Sequence, residues 1–272
     1  MRRLPAAAKI NLALVVGPRR PDGKHEVVTV LQRIDLADRV SLEPAPGLRV
    51  TGFAEDTLVE RALRLLAEAV GVEPRWAVRI AKHIPVAAGL GGGSSDAATA
   101  LRLANETLER PLALDALRAL AAKLGADVPF FLAHGPHLGE EDGSVLRPLE
   151  LPQDYWVVLV LPDRASKPST AAVYRAFDER GGEAGFEARK AKLLRALASV
   201  RGARDLAALP GNDLASSPLV EELLELGAFR GDATGAGPVV YGLFSREEEA
   251  RSAARALRPR GRTWVIVPAW YG

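Results

Sequence analysis

Cysteine is absent from this sequence of 272 residues, and aromatic side chains make up only 6% of it. The absence of cysteine excludes disulfides, thiolate metal ligands and a cysteine nucleophile. No run of about 18 uncharged apolar residues occurs, so we expect no membrane-spanning helix. The two N-terminal arginines lead into a segment that Lys9 and Asn11 interrupt, which is unlike a signal peptide. These absences predict a cytoplasmic protein with no membrane partner.

The sequence also lacks a strong excess of charge of one sign. Its formal net charge is +2, and 29 of its 36 basic residues are arginine. The arginines are scattered among glutamates, as in Glu60, Arg61 and Arg64, whereas a nucleic-acid-binding surface concentrates its basic residues in a stripe. We therefore predict solvated helix faces and no nucleic-acid partner. The hydrophobic content of 48% suits one large domain or two closely packed lobes.

The most distinctive stretch runs from residue 84 to 101 with the sequence IPVAAGLGGGSSDAATAL. Glycine lets backbone N–H groups converge and a helix N-terminus adds unpaired donors, so the stretch predicts a phosphate-binding turn that leads into a helix. The hydroxyl of Ser94 or Ser95 can cap that helix or face a phosphate or a metal ion. The glycine spacing fits neither G-x-x-x-x-G-K-[ST] nor G-x-G-x-x-G. A plain glycine-rich turn before a capped helix is the alternative.

Hydrophobic periodicity predicts an α+β chain. Four strands come before any helix, over 5–16, 27–31, 38–42 and 48–53, which favours a mixed, mainly antiparallel sheet. Later strands are predicted over 76–80, 155–161, 237–244 and 263–267. Helices are predicted over 57–70, 95–108, 115–124, 167–177, 186–200, 218–226 and 246–257. Since no low-complexity linker interrupts the chain, we expect two lobes that share a groove.

Two charged residues lie in apolar surroundings. Lys9 interrupts the first predicted strand, and Asp127 lies between Ala126 and Val128 just after a predicted helix. Phosphoryl transfer needs a phosphate cradle, cations and a group that orients the attacking hydroxyl, and these two residues could supply the last two. The alternatives are a strand-end lysine that reaches solvent and an aspartate that caps a turn.

Three ordered motifs resemble those of the GHMP kinases, the family of galactose, homoserine and mevalonate kinases. They are PAAAKINL at 5–12, PVAAGLGGGSSDAA at 85–98 and TGAGPVV at 234–240. The likeness spans nearly the whole chain. It implies the two-lobed α+β fold of that family, with mixed, mainly antiparallel sheets and an active-site groove between the lobes. Residues 1–150 would form the ATP-binding lobe and residues 151–272 the substrate-side lobe.

The resemblance also implies an ATP site and a catalytic pair. ATP would bind with Mg²⁺. Water and phosphate oxygens would complete the coordination of that ion, without a dedicated protein cage. Asp127 would accept the proton of the attacking hydroxyl, and Lys9 would keep that carboxylate ionised and orient the hydroxyl. Thr57 would lie beside the adenine, where close relatives usually have asparagine. The other residues implied to bind ATP are Pro85, Val86, Ala87, Ala88, Gly89, Leu90, Gly91, Gly92, Gly93, Ser94 and Ser95.

Within the family, the likeness is greatest to members that phosphorylate the C2 hydroxyl of a CDP-linked methylerythritol, a step toward isoprenoid precursors. The segments that carry it are AKINL at 8–12, PDGKH at 21–25 and LGADVPFF at 124–131. His25 would hydrogen-bond the cytosine and Tyr174 would stack on it, but Lys24 stands where the family commonly has an aromatic ring. The remaining residues implied to bind the substrate or brace its loop are Asn11, Thr234 and Gly235.

Two other functions remain as alternatives to this one. The chain could be a GHMP kinase for another small alcohol, such as homoserine, mevalonate or a sugar, although the segments at 21–25 and 124–131 fit the cytidyl substrate better. It could also be a noncatalytic nucleotide-binding protein. Such a protein would be expected to lack Lys9 or Asp127, or to have a localised basic stripe, and the sequence has neither feature.

Overall fold

The computed structural model describes residues 1–53, 57–163 and 169–269, and these ranges form two β-sheets with helices packed against them. The strands are β1 (Arg2–Arg19), β2 (His25–Pro44), β3 (Arg49–Thr51), β4 (Trp76–Ala81), β5 (His137–Glu140), β6 (Val145–Pro148), β7 (Trp156–Pro162), β8 (Arg230–Ala233), β9 (Val240–Phe244) and β10 (Gly261–Ile266). The helices are α1 (Thr57–Val70), α2 (Gly92–Asn105), α3 (Leu114–Leu124), α4 (Thr170–Glu179), α5 (Phe186–Ser199), α6 (Leu219–Glu225) and α7 (Glu247–Ala256). Short 3₁₀ helices occupy Pro129–Leu132, Ala203–Ala208 and Arg258–Arg260.

The first sheet is built on the long hairpin of β1 and β2. Its order is β3-β4-β2-β5-β6, with β1 also paired to β2, and the pairing of β3 with β4 is its one parallel ladder among the described residues. Residues 6–17 of β1 are all buried, so this strand is covered on both faces. The register of β1 against β2 shifts between Asn11 and Ala13. Such a bulge re-aims the neighbouring side chains.

The second sheet has the order β10-β7-β9-β8 and is antiparallel throughout. The order of its strands differs from their order in the sequence, since β7 lies between β9 and β10. One hydrophobic core joins the two sheets: Ile10 and Leu12 of β1 pack in the same cluster as Leu159 of β7, Tyr241 of β9 and Leu193 of α5. The hydroxyl of Tyr241 also donates to the backbone carbonyl of Asn11 over 3.0 Å. The two sheets therefore meet along β1.

Two further cores hold the helices to the sheets. Helices α1, α2 and α3 bury Leu63, Leu101 and Leu117 against Val40 and Ile80 of the first sheet. Helices α6 and α7 bury apolar residues against the second sheet. Within the described ranges, no helix has the length and apolar composition that a membrane crossing would need.

The α+β class with mixed, mainly antiparallel sheets is confirmed, and α1 has the predicted bounds. The prediction of four strands before the first helix is wrong, because 27–31 and 38–42 belong to the single strand β2. Gln32 and Arg33 interrupt the apolar pattern there. Both stay in the strand because distant groups satisfy them: Gln32 bonds Gln153, and Arg33 donates to backbone carbonyls.

Other boundaries also differ from the prediction. Helix α2 begins at Gly92 rather than 95 and ends at Asn105 rather than 108. The predicted helix 167–177 corresponds to α4, and its first two residues lie outside the described residues. Strands β5, β6 and β8 were not predicted, since each has only four residues and too few positions for a periodicity.

Two buried tyrosines test whether the hydroxyl that joins the sheets stabilises the fold. Tyr241→Phe removes the donor to the Asn11 carbonyl, so we expect the free energy of unfolding to fall by about 1–3 kcal/mol. Tyr155 is also buried, but its hydroxyl has no hydrogen-bond partner in the part of the chain that the structure describes. Tyr155→Phe should therefore leave the free energy of unfolding unchanged or raise it. Urea unfolding of both variants measures the difference, and equal losses would contradict it.

Candidate active site

A cavity of about 880 Å³ brings the predicted site residues together. Its walls come from β1, β2, the loop 85–91, the start of α2, the turn after α3 and helix α4. All but two of the residues predicted to bind ATP or substrate, or to catalyse, line it. The exceptions are Ser95 and Thr234, which are buried behind the cavity wall. Thr57, the first residue of α1, lines the cavity beside Phe53 and Leu58.

The loop 85–91 has the backbone geometry of an anion site. Gly89 and Gly91 adopt φ of +83° and +71°, and Ala87 adopts +57°. Positive φ is readily reached by glycine but strained for alanine. The backbone N–H groups of residues 86–94 donate to no acceptor within 1–53, 57–163 and 169–269. The loop leads directly into the N-terminus of α2, where the helix dipole adds positive charge, so these N–H groups can hold phosphate oxygens.

A second glycine loop, residues 234–237, packs directly against the first. A Cβ atom at Gly89 would lie 2.3 Å from the carbonyl oxygen of Thr234, and a Cβ at Gly237 would lie 2.3 Å from the carbonyl of Ala88. Both distances are far inside van der Waals contact. Glycine is therefore required at both positions for the two backbones to touch, and the second loop braces the first.

Lys9 and Asp127 approach each other at the floor of the cavity. The Lys9 ammonium lies 3.6 Å from the Asp127 carboxylate and donates to the side-chain oxygen of Asn11 over 2.7 Å. The Lys9 side chain is only 4% exposed, whereas that of Asp127 is 43% exposed. The carboxylate thus has room to accept a ligand's hydroxyl, and the ammonium is held beside it.

Asn11 links this pair to β2 and to the loop after β8. Its side-chain amide donates to the hydroxyl of Thr29 on β2, and its side-chain oxygen accepts the hydroxyl of Thr234. The Thr234 hydroxyl in turn accepts the backbone N–H of Asn11 over 3.1 Å. Asn11 and Thr234 therefore fix the Lys9 ammonium rather than leaving it to rotate.

A buried ion triad below the first glycine loop was not predicted. The ammonium of Lys82 lies 2.5 Å from Asp38 and 2.7 Å from Asp96, both of which are fully buried. Burial opposes the charge on Lys82, but the two carboxylates outweigh it and raise its pKa. The second Asp38 oxygen accepts the backbone N–H groups of His83 and Ile84. A charged residue at the end of an apolar strand, just before the glycine loop, is the signal that could have revealed Lys82.

The opposite end of the cavity contains an aromatic pair. The rings of His25 and Tyr174 are stacked with their centres 4.8 Å apart. Asp178 binds the Nε2 atom of His25 at 2.7 Å, and the Arg19 guanidinium binds the same carboxylate. The hydrogen bond from His25 lowers the pKa of Asp178, and burial raises the pKa of Tyr174 to about 12. The sequence indicated His25 and Tyr174 but not Asp178, which is 153 residues from His25.

Lys24 lines this end of the cavity and forms an ion pair with Asp142. That ion pair, together with one between Arg20 and Glu141, ties the turn between β1 and β2 to the turn between β5 and β6. The hydrogen bond with Asp142 raises the pKa of Lys24. Where an aromatic ring was expected, the chain therefore has a charged side chain held over the cavity mouth.

The described residues contain no group of three His, Asp or Glu side chains that could hold a metal ion. The side-chain oxygens along the cavity include the carboxylates of Asp127 and Asp142 and the hydroxyl of Ser94. These can supply part of the coordination of a hard cation that also binds phosphate oxygens.

Comparison with known proteins agrees with this geometry. A model of the GHMP kinases N terminal domain matches residues 57–135, and a model of the GHMP kinases C terminal region matches residues 187–262. The 4-diphosphocytidyl-2-C-methyl-D-erythritol kinase of Geobacter metallireducens is 37% identical over an alignment that covers 97% of this chain and 96% of that protein. The protein of the same name from Pelotomaculum thermopropionicum is 39% identical and covers 93% of this chain and 92% of its own length.

Solved structures are similar over the whole chain. A crystal structure of a 4-(cytidine 5'-diphospho)-2C-methyl-D-erythritol kinase has a TM-score of 0.78 at 33% identity, with 98% of this chain and 100% of that chain covered. The mevalonate kinase of Methanococcus jannaschii has a TM-score of 0.75 at 13% identity, covering 98% of each chain. At 13% identity, the similarity to the mevalonate kinase shows only that the fold is shared.

The contact between the two glycine loops can be tested at Gly89. Gly89→Ala would strain a left-handed residue and push the loops apart, so we expect the free energy of unfolding to fall by at least about 2 kcal/mol. Gly93 is the matched control, because a Cβ there would meet nothing within 4 Å. Gly93→Ala should leave the free energy of unfolding unchanged or raise it by up to about 1 kcal/mol. Thermal unfolding of the two variants checks the contrast, which equal stabilities would contradict.

Proposed function

The chain belongs to the GHMP kinase family, and we propose that it phosphorylates the C2 hydroxyl of 4-diphosphocytidyl-2-C-methyl-D-erythritol. The donor is ATP, and the products are ADP and the 2-phosphate of that substrate, in the non-mevalonate route to isoprenoid precursors. The observation that carries the proposal is the identity of 36–39% to kinases of this name over 93–97% of the chain. The family predicted from three sequence motifs is confirmed.

On the acceptor side, Asp127 and Lys9 have the arrangement that the reaction needs. Asp127 orients the substrate hydroxyl and accepts its proton as the oxygen bonds to phosphorus. The ammonium of Lys9, 3.6 Å from that carboxylate, stabilises its negative charge. Because Asn11 and Thr234 hold the ammonium, the pair is preorganised before substrate arrives.

On the donor side, the unpaired N–H groups of residues 86–94 bind the phosphates of ATP. Thr57 lies at the adenine end of the same cavity wall, next to Phe53. The Ser94 hydroxyl would contact a magnesium ion bound with ATP, and that ion would neutralise charge on the triphosphate. The residues thus fit a metal that is held mainly by phosphates and water.

The cytidine end of the substrate fits the pocket that His25 and Tyr174 form. Asp178 holds the His25 ring in place, so the ring presents a fixed edge to the base, while Tyr174 offers an aromatic face. Lys24 closes the pocket with its ion pair to Asp142. Both parts of the chain contribute residues to this pocket. We also propose that residues 1–150 and 151–272 form the two lobes, and that the protein is cytoplasmic.

A kinase for another small alcohol would keep the Lys9–Asp127 pair and the phosphate loop but would not need the His25 pocket. The experiment that separates the two is ADP release from ATP and Mg²⁺ in the presence of the cytidyl substrate, homoserine, mevalonate or galactose. Turnover with the cytidyl substrate alone supports the proposal. Turnover with another alcohol overturns the substrate assignment, and no turnover with any of the four favours a noncatalytic role.

Asp127→Asn tests the proposed base. The amide keeps the shape of the side chain but cannot accept a proton, so we expect kcat to fall roughly 100- to 10,000-fold, with ADP affinity unchanged. Asp115→Asn is the control, because Asp115 is an exposed carboxylate at the other end of α3. Steady-state kinetics and calorimetry measure both variants. Turnover of Asp127→Asn close to that of the unaltered protein would defeat the assignment.

Lys24→Tyr tests whether the cavity lacks a stacking surface for the base. Aromatic stacking contributes about 1–3 kcal/mol per base, and an exposed ion pair contributes at most about 1 kcal/mol. We therefore expect the KM for the cytidyl substrate to fall and the KM for ATP to stay the same. Lys24→Met, which loses the ion pair without adding a ring, should not lower the substrate KM. An equal substrate KM in the tyrosine and methionine variants would show that stacking at this position is unimportant.

A further inference from the structure

We propose that Arg33 is a positioning residue that sets the place of Asp127 relative to Lys9. The proposal rests on the phosphoryl transfer described above. Neither the sequence motifs nor the cavity lining includes Arg33, which is a buried residue of β2 with 4% exposure. In the register of the β1–β2 hairpin it is the direct partner of Lys9. The backbones of Lys9 and Arg33 therefore lie side by side in the first sheet.

The Arg33 guanidinium binds one short segment of backbone. Its Nη2 atom donates to the carbonyl oxygens of Phe130 at 3.3 Å and Phe131 at 2.8 Å, and also to that of Ala133. The guanidinium carbon lies 5.7 Å from the centre of the Phe130 ring. These carbonyls end the 3₁₀ helix Pro129–Leu132, which carries partial negative charge there. The Phe130 carbonyl also accepts the Ala133 N–H, whereas those of Phe131 and Ala133 accept no backbone N–H in the described ranges. A buried cation is well suited to hold them.

The same 3₁₀ helix begins two residues after Asp127. Hydrogen bonds from the Val128 N–H to the Gly125 carbonyl and from the Phe131 N–H to the Val128 carbonyl connect the turn that contains Asp127 to the helix that contains Phe131. Pro129 further restricts the backbone at this point. By holding the end of the helix, Arg33 fixes the start of it, where the carboxylate lies.

Phe131 carries the constraint to the phosphate loop. A Cβ atom at Gly91 would lie 2.8 Å from Cζ of Phe131 and 3.1 Å from Cγ of Lys9. The ring of Phe131 therefore packs in the angle between the loop and the lysine. Arg33 thus sets the spacing among the three parts of the reaction: the carboxylate, the cation and the phosphate cradle. A displacement of about 1 Å at such a site can cost about 100-fold in rate.

Arginine suits this role better than lysine does. The planar guanidinium lies over the Phe130 ring, which fixes the direction of its Nη2 hydrogens, whereas an ammonium on a flexible stem has no fixed direction. A lysine at position 33 would keep the charge but would not hold the carbonyls of Phe131 and Ala133 in the same geometry. The positioning role therefore predicts that Arg33→Lys lowers kcat, although it conserves the charge.

The decisive experiment uses Arg33→Ala with added guanidinium. A recess of about 20 Å³ beside Arg33, lined also by Phe131, Arg102 and the exposed Pro5, would join the volume that the truncation vacates. We expect kcat to fall roughly 10- to 100-fold, with the KM values for ATP and alcohol within about twofold, and millimolar guanidinium to restore much of kcat. Urea, a neutral molecule of similar shape, and sodium chloride at equal ionic strength should restore none.

Arg230→Ala is the matched control for the loss of a buried arginine. Arg230 is also about 5% exposed, and it binds the carbonyls of Leu206, Leu209 and Pro210 at the end of another 3₁₀ helix, but it lies outside the cavity lining. It differs from Arg33 in that it also pairs with Asp232 and donates to the Tyr241 hydroxyl. The Arg230→Ala variant should lose stability as Arg33→Ala does. It should show no selective loss of kcat, and guanidinium should not rescue it. All assays are run below the unfolding temperature of the weaker variant.

Three outcomes decide the proposal. A selective loss of kcat that guanidinium reverses supports it. A folded Arg33→Ala with unaltered kcat overturns it, as does a loss that equals that of Arg230→Ala and that guanidinium does not reverse. If Arg33→Ala does not fold, Arg33→Lys carries the test through its kcat and KM values. Failure of the unaltered protein to turn over any alcohol would instead overturn the proposed function, so the two failures are distinguishable.

Discussion

The burial of the Lys9 ammonium is the constraint on which the rest of the site depends. A charge inside a protein is costly unless hydrogen bonds and an opposite charge compensate it. Here the compensation comes from Asn11 and Asp127, and Asn11 is held in turn by Thr29 and Thr234. Because these partners come from the first sheet, from the loop 234–237 after β8 and from the turn after α3, compensating one buried cation brings the proposed catalytic groups together.

Close backbone contact supplies the second constraint. The two glycine loops touch where Gly89 meets the Thr234 carbonyl, and Phe131 fills the space that a side chain at Gly91 would need. Such contacts leave no room for adjustment, because a well-packed region transmits any displacement to its neighbours. The phosphate loop, the Lys9 side chain and the Asp127 turn are therefore packed together as one contiguous unit, which suits a reaction whose catalysis is mainly positioning and charge stabilisation.

The two lysines beside the phosphate loop, Lys82 and Lys9, differ in the number and the burial of their carboxylate partners. Lys82 is neutralised by two buried carboxylates, Asp38 and Asp96, which join β2 to α2 below the phosphate loop. Lys9, by contrast, has one carboxylate partner in the described ranges, and that partner, Asp127, is half exposed to the cavity. The first arrangement suits a structural role and the second leaves a carboxylate accessible for chemistry.

The sequence alone determined the elements with strong periodicity, such as α1 and β7, and the glycine loop, because glycine spacing and apolar alternation are local properties. By resemblance it also indicated Lys9 and Asp127. Tertiary structure decided which polar groups meet. Asn11 and Thr234 form a hydrogen bond although 223 residues separate them in the sequence, and Arg33 donates to carbonyls about 100 residues away. No local sequence pattern encodes such contacts. They exist because packing the two sheets along β1 buries these groups together, and buried polar groups must then find partners.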